Sequence, residues 1–252
     1  MTVYANILKQ KAKNKKSIAI VIDPDKANKE IIIHELSKIT SESIRYIFVG
    51  GSLLSEDFTS GIINVLKEHS KLPIISFPGN VMQINTSANA ILFLSLISGR
   101  NPEYLIGQHI VSAPRLHASG IEVIPTGYIL IDGGNISSTT YISNTLPIPS
   151  TKTDIAACTA LAGEMLGLKL LFLEAGSGAI TPVSPQMIKK VRGVTSIPII
   201  IGGGIRTSKD MLNAAEAGAD IIVLGSLLEK DFSKLHNMGK ILDEYNRTYS
   251  IP

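Results

Sequence analysis

Short, nearly unbroken apolar runs return along the chain at 17–22, 45–49, 73–76, 91–95, 122–131, 169–173, 197–201 and 220–224. Continuous runs rich in Ile, Val and Leu predict parallel strands covered on both faces, since a half-exposed sheet would show alternation instead. Between them lie amphipathic or polar stretches at 28–39, 58–69, 102–117, 154–166, 185–191 and 208–217, which predict helices. Asp57, Ser184 and Thr207 stand near helix starts, where a side-chain oxygen accepts a free backbone N–H, and Gly120, Gly167 and Gly218 follow helix ends. Eight strands alternating with helices predict an α/β fold, a (β/α)8 TIM barrel rather than an open sheet. One unit breaks the rhythm. The stretch PGNVMQINTSANA before Ile91 is too short and polar for a full outer helix, so the third helix is expected to be degenerate or missing.

The pattern also repeats on a larger scale. Residues 46–52 (YIFVGGS) align with 171–177 (LFLEAGS), and the same displacement aligns 72–80 with 197–205. A weaker echo links VIDPDK at 21–26 to LIDGGN at 130–135, as two fused half-barrels would produce. The Ser/Thr/Pro-rich segment 135–153 is longer than an ordinary connection and reads as a functional loop over the fifth strand. Nothing marks a domain boundary, and the chain is expected to form one TIM-barrel domain over 1–252.

Composition narrows the class. With 44% hydrophobic and 18% charged residues the chain can bury a large core, which excludes disorder. A net charge of +3, with 5% aromatic residues and no Trp, argues against a nucleic-acid partner. The single cysteine, Cys158, cannot form an internal disulfide, and no apolar run reaches the roughly 18 residues of a membrane span. With no signal-peptide core at the N-terminus, a soluble cytoplasmic protein is expected. The basic run Lys9, Lys11, Lys13, Lys15 and Lys16 reads as a solvated face, with weak attraction to acidic lipid as the lesser reading.

The active face of such a barrel is built from strand C-terminal ends, and the glycine-rich motifs fall there. They are Glu174-Ala-Gly-Ser-Gly178 after strand six, Gly202-Gly-Gly204 after strand seven and Gly225-Ser226 after strand eight. Consecutive glycines admit an anion to backbone N–H groups, so the pattern points to a phosphorylated small molecule. Asp23, after strand one, faces the mouth and suits a Mg²⁺ ligand or an acid–base group; the plainer reading has Asp23 shaping a turn and Asp25 capping the first helix. Ser52, after strand two, puts a hydroxyl beside the same mouth, and Asp132 does the same with a carboxylate or merely forms its Asp-Gly-Gly turn. Glu174 ends an apolar strand, where a lone carboxylate reads as a general base or as half of a structural salt bridge. The five histidines show no metal-ligand spacing; His109 alone is a candidate to face a ligand.

Taken together, VIDPDK, FVGGS, IPTGYILIDGG, SNTLPIP, LFLEAGSGA, PIIIGGGI and VLGS resemble the geranylgeranylglyceryl phosphate synthase family, its larger second group, related to the heptaprenylglyceryl phosphate synthases. The resemblance runs over 17–227. It implies a modified TIM barrel lacking one regular helix. The implied activity is a Mg²⁺-dependent prenyltransferase joining a polyprenyl diphosphate, geranylgeranyl in the family name, to the 3-hydroxyl of sn-glycerol 1-phosphate, with release of diphosphate. Carried over by motif, Asp23 and Ser52 hold Mg²⁺ on the prenyl diphosphate. Phe172, Leu173, Glu174, Ala175, Gly176, Ser177, Gly178, Gly203, Gly204, Gly225 and Ser226 bind glycerol 1-phosphate, and Glu174 is the carboxylate near the reacting hydroxyl. The tail then needs an apolar channel, for which 91–97 and 102–117 are the candidates. A homo-oligomer without a transmembrane segment, in transient contact with the membrane that takes up its lipid product, completes the expectation. One departure stands out: the family often has Tyr where this chain has Phe172. Two other readings remain at this level, a phosphosugar isomerase or cyclase using Asp23 and Asp132, and a phosphate- or lipid-binding barrel without turnover.

Overall fold

A computed structural model describes residues 1–51 and 59–251. The eight strands are β1 (Ser17–Ile22), β2 (Ile44–Val49), β3 (Ile74–Ser76), β4 (Ala90–Leu96), β5 (Glu122–Leu130), β6 (Leu170–Glu174), β7 (Ile199–Gly202) and β8 (Ile221–Leu224). They close into a barrel in chain order, each parallel to both neighbours. Successive side chains on a strand point to opposite faces. One set, including Ala19, Tyr46, Phe48, Leu92, Phe172 and Ile200, packs together inside the barrel. The alternate set, including Ile18, Ile47, Ile129, Leu173 and Ile201, packs against the helices. Both faces exclude water, which is why the strands read as continuous apolar runs.

The helices are α1 (Val3–Ala12), α2 (Lys29–Ser37), α3 (Thr59–His69), α4 (Gln108–Ser119), α5 (Ser138–Ser143), α6 (Thr153–Met165), α7 (Pro185–Arg192), α8 (Ser208–Ala217), α9 (Ser226–Lys230) and α10 (Lys234–Tyr249). Thr207 and Asp210 form a reciprocal cap on α8, and Ser184 caps α7. Asp57 lies outside the described residues. The third unit has no outer helix. In its place Asn80 starts one tight turn, Val81–Gln83, and α4 is preceded by a wide turn at Glu103–Gly107. The outer face of β4 there carries a small separate cluster of Ile84, Ile91 and Leu116.

Two helices at the chain's ends were not read as helices from the sequence. Val3 and Ile7 of α1 pack on the interior set, while Glu122 at the start of β5 accepts the N–H groups of Val3 and Tyr4 at 2.6 and 2.9 Å. The helix that plugs the barrel carries Lys9 and Lys11 of the basic run, and Lys16, just before β1, corrects the solvated reading: it is buried, and burial pulls its ammonium pKa down. α10 buries Leu235, Met238 and Leu242, and its Asn246 side chain hydrogen-bonds the backbone of Lys16 in both directions. Among the described residues no helix is long and apolar enough to cross a membrane.

Candidate active site

A cavity of about 760 Å³ opens at the C-terminal mouth of the barrel. One half is bordered by the strand-end loops: Asp23 and Lys26 after β1, Gly50 and Gly51 after β2, Glu174 and Ser177 of the β6 loop, Gly203 and Gly204 after β7, and Gly225 and Ser226 after β8. The remaining wall is mainly apolar, with Asn80, Gln108, Ser112 and Ser137 among its polar residues. It runs along Leu92 and Leu94 and emerges beside Val81, Ile84, Ile91, Phe93 and His109. Ile91 and Phe93 belong to the outer face of β4, so the missing third helix is what lets the cavity leave the barrel wall. The candidate channel between 91–97 and 102–117 lies here.

Glu174 lines the same cavity. It ends β6 and is only 8% exposed; burial pushes its carboxyl up to about 7, against a small opposing effect of the Gly176 N–H, which it accepts at 2.9 Å. Among the described residues no Lys or Arg forms an ion pair with it, which removes the salt-bridge reading. The glycines beside it are there by necessity. A Cβ on Gly203 would fall 2.8 Å from the backbone N and O of Gly176, and one on Gly204 would fall 2.7 Å from Pro182 N. Both residues also have positive φ, 78° and 71°, a region L-residues with side chains rarely adopt. The β6 and β7 loops thus pack backbone to backbone.

The predicted residues divide on this geometry. Glu174, Ser177, Gly203, Gly204, Gly225, Ser226 and Asp23 share the cavity; Phe172, Leu173, Ala175, Gly176 and Gly178 are not among its lining residues. Leu173 and Ala175 face the helices, and Phe172 is fully buried under the mouth, stacked on Phe77 with centroids 5.3 Å apart. Tyr128, which the sequence reading did not single out, is paired in register with Phe172, its ring 5.3 Å away. Its hydroxyl is pushed far above the ordinary value by burial and then by the charge of Glu174. The signal was the one aromatic residue of β5, whose sequence is EVIPTGYIL.

Asp23 follows β1 with its carboxylate 15% exposed and 3.1 Å from Lys26 Nζ, and Gly51 lets the end of β2 approach it closely. Ser52 lies outside the described residues. Asp132 is exposed and accepts the N–H of Gly134 at 2.9 Å, so it forms its own turn and does not line the cavity. The isomerase reading loses its second carboxylate. His109 packs edge-on against Phe93, centroids 4.4 Å apart; its Nδ1 is buried without a hydrogen-bond partner, and burial lowers its pKa.

Fold and site together define a (β/α)8 barrel whose mouth joins a glycine-lined cradle, one desolvated carboxylate and an apolar channel. A family model described as the PcrB family matches residues 9–243, and the chain belongs to that family. It is 49% identical over 236 residues to a geranylgeranylglyceryl phosphate synthase of Chitinophaga pinensis, covering 94% of both chains. It is 45% identical over 238 residues to one of Spirosoma linguale, covering 94% of this chain and 96% of the relative. Among solved structures, (S)-3-O-geranylgeranylglyceryl phosphate synthase from Thermoplasma acidophilum in complex with sn-glycerol-1-phosphate superposes with a TM-score of 0.89. That pair is 30% identical, over 99% of this chain and 100% of the other.

Proposed function

We propose that this protein joins a polyprenyl diphosphate to the 3-hydroxyl of sn-glycerol 1-phosphate and releases diphosphate. The observation that carries the reading is the desolvated Glu174 sharing one cavity with strand-end glycines and an apolar wall. The acceptor phosphate lies against Ser177, Gly203, Gly204, Gly225 and Ser226, where absent side chains allow backbone N–H groups to reach it. The prenyl tail lies in the channel along β4, where apolar burial stabilises it by about 25 cal/mol per Å² before ordering costs.

The reaction forms a bond between the acceptor's 3-oxygen and prenyl C1, breaks the bond from C1 to the diphosphate oxygen, and transfers the hydroxyl proton to Glu174. A carboxyl that titrates near neutral pH holds that proton well enough to act as a base. Phe77 and Tyr128 line the same cavity as Glu174, and their aromatic rings would stabilise positive character at C1. Placing both substrates in one mouth supplies proximity.

Among the described residues no group of three or more His, Cys, Asp or Glu is arranged to hold a metal. Asp23, lining the mouth together with Asp25 and Glu229, instead suits Mg²⁺ that arrives with the diphosphate, since Mg²⁺ is commonly held by one or two carboxylates, substrate phosphates and water. Asp23, with the Ser52 hydroxyl, would hold it; bound there, it neutralises charge on the departing diphosphate. Exposed Ile110 and Val111 on α4 fit brief contact with a membrane during product transfer. A cytoplasmic homo-oligomer remains part of the proposal, the single cysteine favouring a reducing compartment.

The test is incubation of the protein and Mg²⁺ with glycerol 1-phosphate and prenyl diphosphates of several lengths, with products identified by mass. A prenylglyceryl phosphate with matching diphosphate release is expected. Binding of both substrates without diphosphate release would overturn the reading in favour of a barrel without turnover.

A further inference from the structure

The β6 loop, which carries Ser177 into the cavity, is held from two sides. From the β5 side, the Gly133 carbonyl accepts the N–H groups of Ile180 and Thr181 at 2.8 and 3.1 Å. From the β7 side, Arg206 reaches across and donates to two successive carbonyls of the same loop, Nη2 to Ala179 at 2.7 Å and Nη1 to Ile180 at 3.4 Å. Arg206 lies two residues beyond Gly204 and does not line the cavity. Its own backbone is tied down: its N–H donates to Asp210 Oδ2 at 3.2 Å, the carboxylate that also caps α8 through Thr207. The guanidinium of this exposed residue is therefore a charged brace between the loops that carry Ser177 on one side and Gly203 and Gly204 on the other. A planar fork reaches both carbonyls from a fixed stem, which the single ammonium of a lysine does not reproduce.

We propose that Arg206 is a positioning residue for the acceptor: it holds the β6 loop against the β7 loop and so sets the affinity of the cradle for glycerol 1-phosphate without touching it. This rests on the reading that these loops bind the acceptor phosphate. The cradle recognises phosphate through backbone groups whose spacing is set by how the two loops meet. Releasing one loop therefore costs acceptor binding first. The channel along β4 and the first-strand carboxylate are not tied to this brace, so the prenyl substrate is unaffected.

The experiment compares wild type, Arg206→Ala and Arg206→Lys by calorimetry with glycerol 1-phosphate, by steady-state kinetics in both substrates, and by thermal melting. Losing charge-assisted hydrogen bonds of this kind predicts about tenfold or more weaker acceptor binding in Arg206→Ala, with an intermediate loss in Arg206→Lys. KM for the prenyl diphosphate, and kcat at saturating acceptor, stay within about threefold. Acceptor affinity within about threefold of wild type in both variants overturns the proposal. So does a parallel weakening for both substrates that follows a lowered melting temperature, because that is the mark of general destabilisation. If Arg206→Ala does not fold, Arg206→Lys carries the same comparison. A wild-type protein that binds no glycerol 1-phosphate overturns the site reading itself, whereas wild-type binding retained in both variants overturns only the role of Arg206.

Discussion

Replacing Glu174 by Gln should lower activity and raise stability at the same time. The side chain is 8% exposed, and burial lifts its carboxyl from 4.5 to about 7. At about 1.4 kcal/mol per pH unit, that gap means ionising Glu174 in the folded protein costs about 3 kcal/mol. The sign follows from which state holds the proton. Between the two values the folded protein keeps a proton that the unfolded chain releases, so stability falls as pH rises through this window. The full cost is present above about 7 and disappears below the unfolded value. Glutamine has the same shape and can still accept the Gly176 N–H, but it carries no charge. The variant should therefore melt higher than wild type at about pH 8, by roughly 6–12 °C for a chain of this size, and match it near pH 4. Turnover should meanwhile fall about 10²–10⁴-fold, the usual effect of removing a general base. Wild-type turnover should rise with pH through about 7, a limb the variant lacks. Melting curves across this pH range and product formation on the same preparations are the assay. A melting difference that does not depend on pH would refute the desolvation argument, and turnover within about threefold of wild type would refute the base role.

Three further substitutions probe the other parts of the site. Gly203→Val forces a branched side chain into positive φ and against Glu174 and Gly176; calorimetry should show acceptor binding weakened far more than prenyl diphosphate binding. Equal losses for the two ligands would point to a disordered mouth instead. Asp23→Asn removes the carboxylate expected to meet Mg²⁺ and should lower Mg²⁺-dependent turnover by about 10²-fold or more, with glycerol 1-phosphate affinity preserved; unchanged turnover across a Mg²⁺ titration sinks that assignment. Ser112→Trp puts a large ring into the channel beside α4, so KM should rise steeply for long prenyl diphosphates and little for short ones; a length-independent effect would place the tail elsewhere.

Much of this architecture was legible before any coordinates. Hydrophobic periodicity is local, and a strand buried on both faces writes itself as an unbroken apolar run; β1 spans the predicted residues 17–22, and the other strands lie within a few residues of their predicted ranges. The glycine motifs were equally readable, because close backbone approach admits no other residue at positions such as Gly203 and Gly204. So was the missing third helix, announced by a stretch too short and polar to form one. What the sequence could not express was which groups meet once the barrel closes. Asp23 and Asp132 are both strand-end carboxylates that accept the N–H two residues on, yet only Asp23 lines the cavity. The N-terminal segment gave no sign of plugging the barrel, since Val3 and Ile7 make their apolar contacts with strands distant in the chain. Tyr128 against Phe172, the brace of Arg206 and the near-neutral carboxyl of Glu174 likewise depend on neighbours brought in from other strands and loops. A side chain's desolvation and its partners are properties of the space around it, and that space exists only after closure.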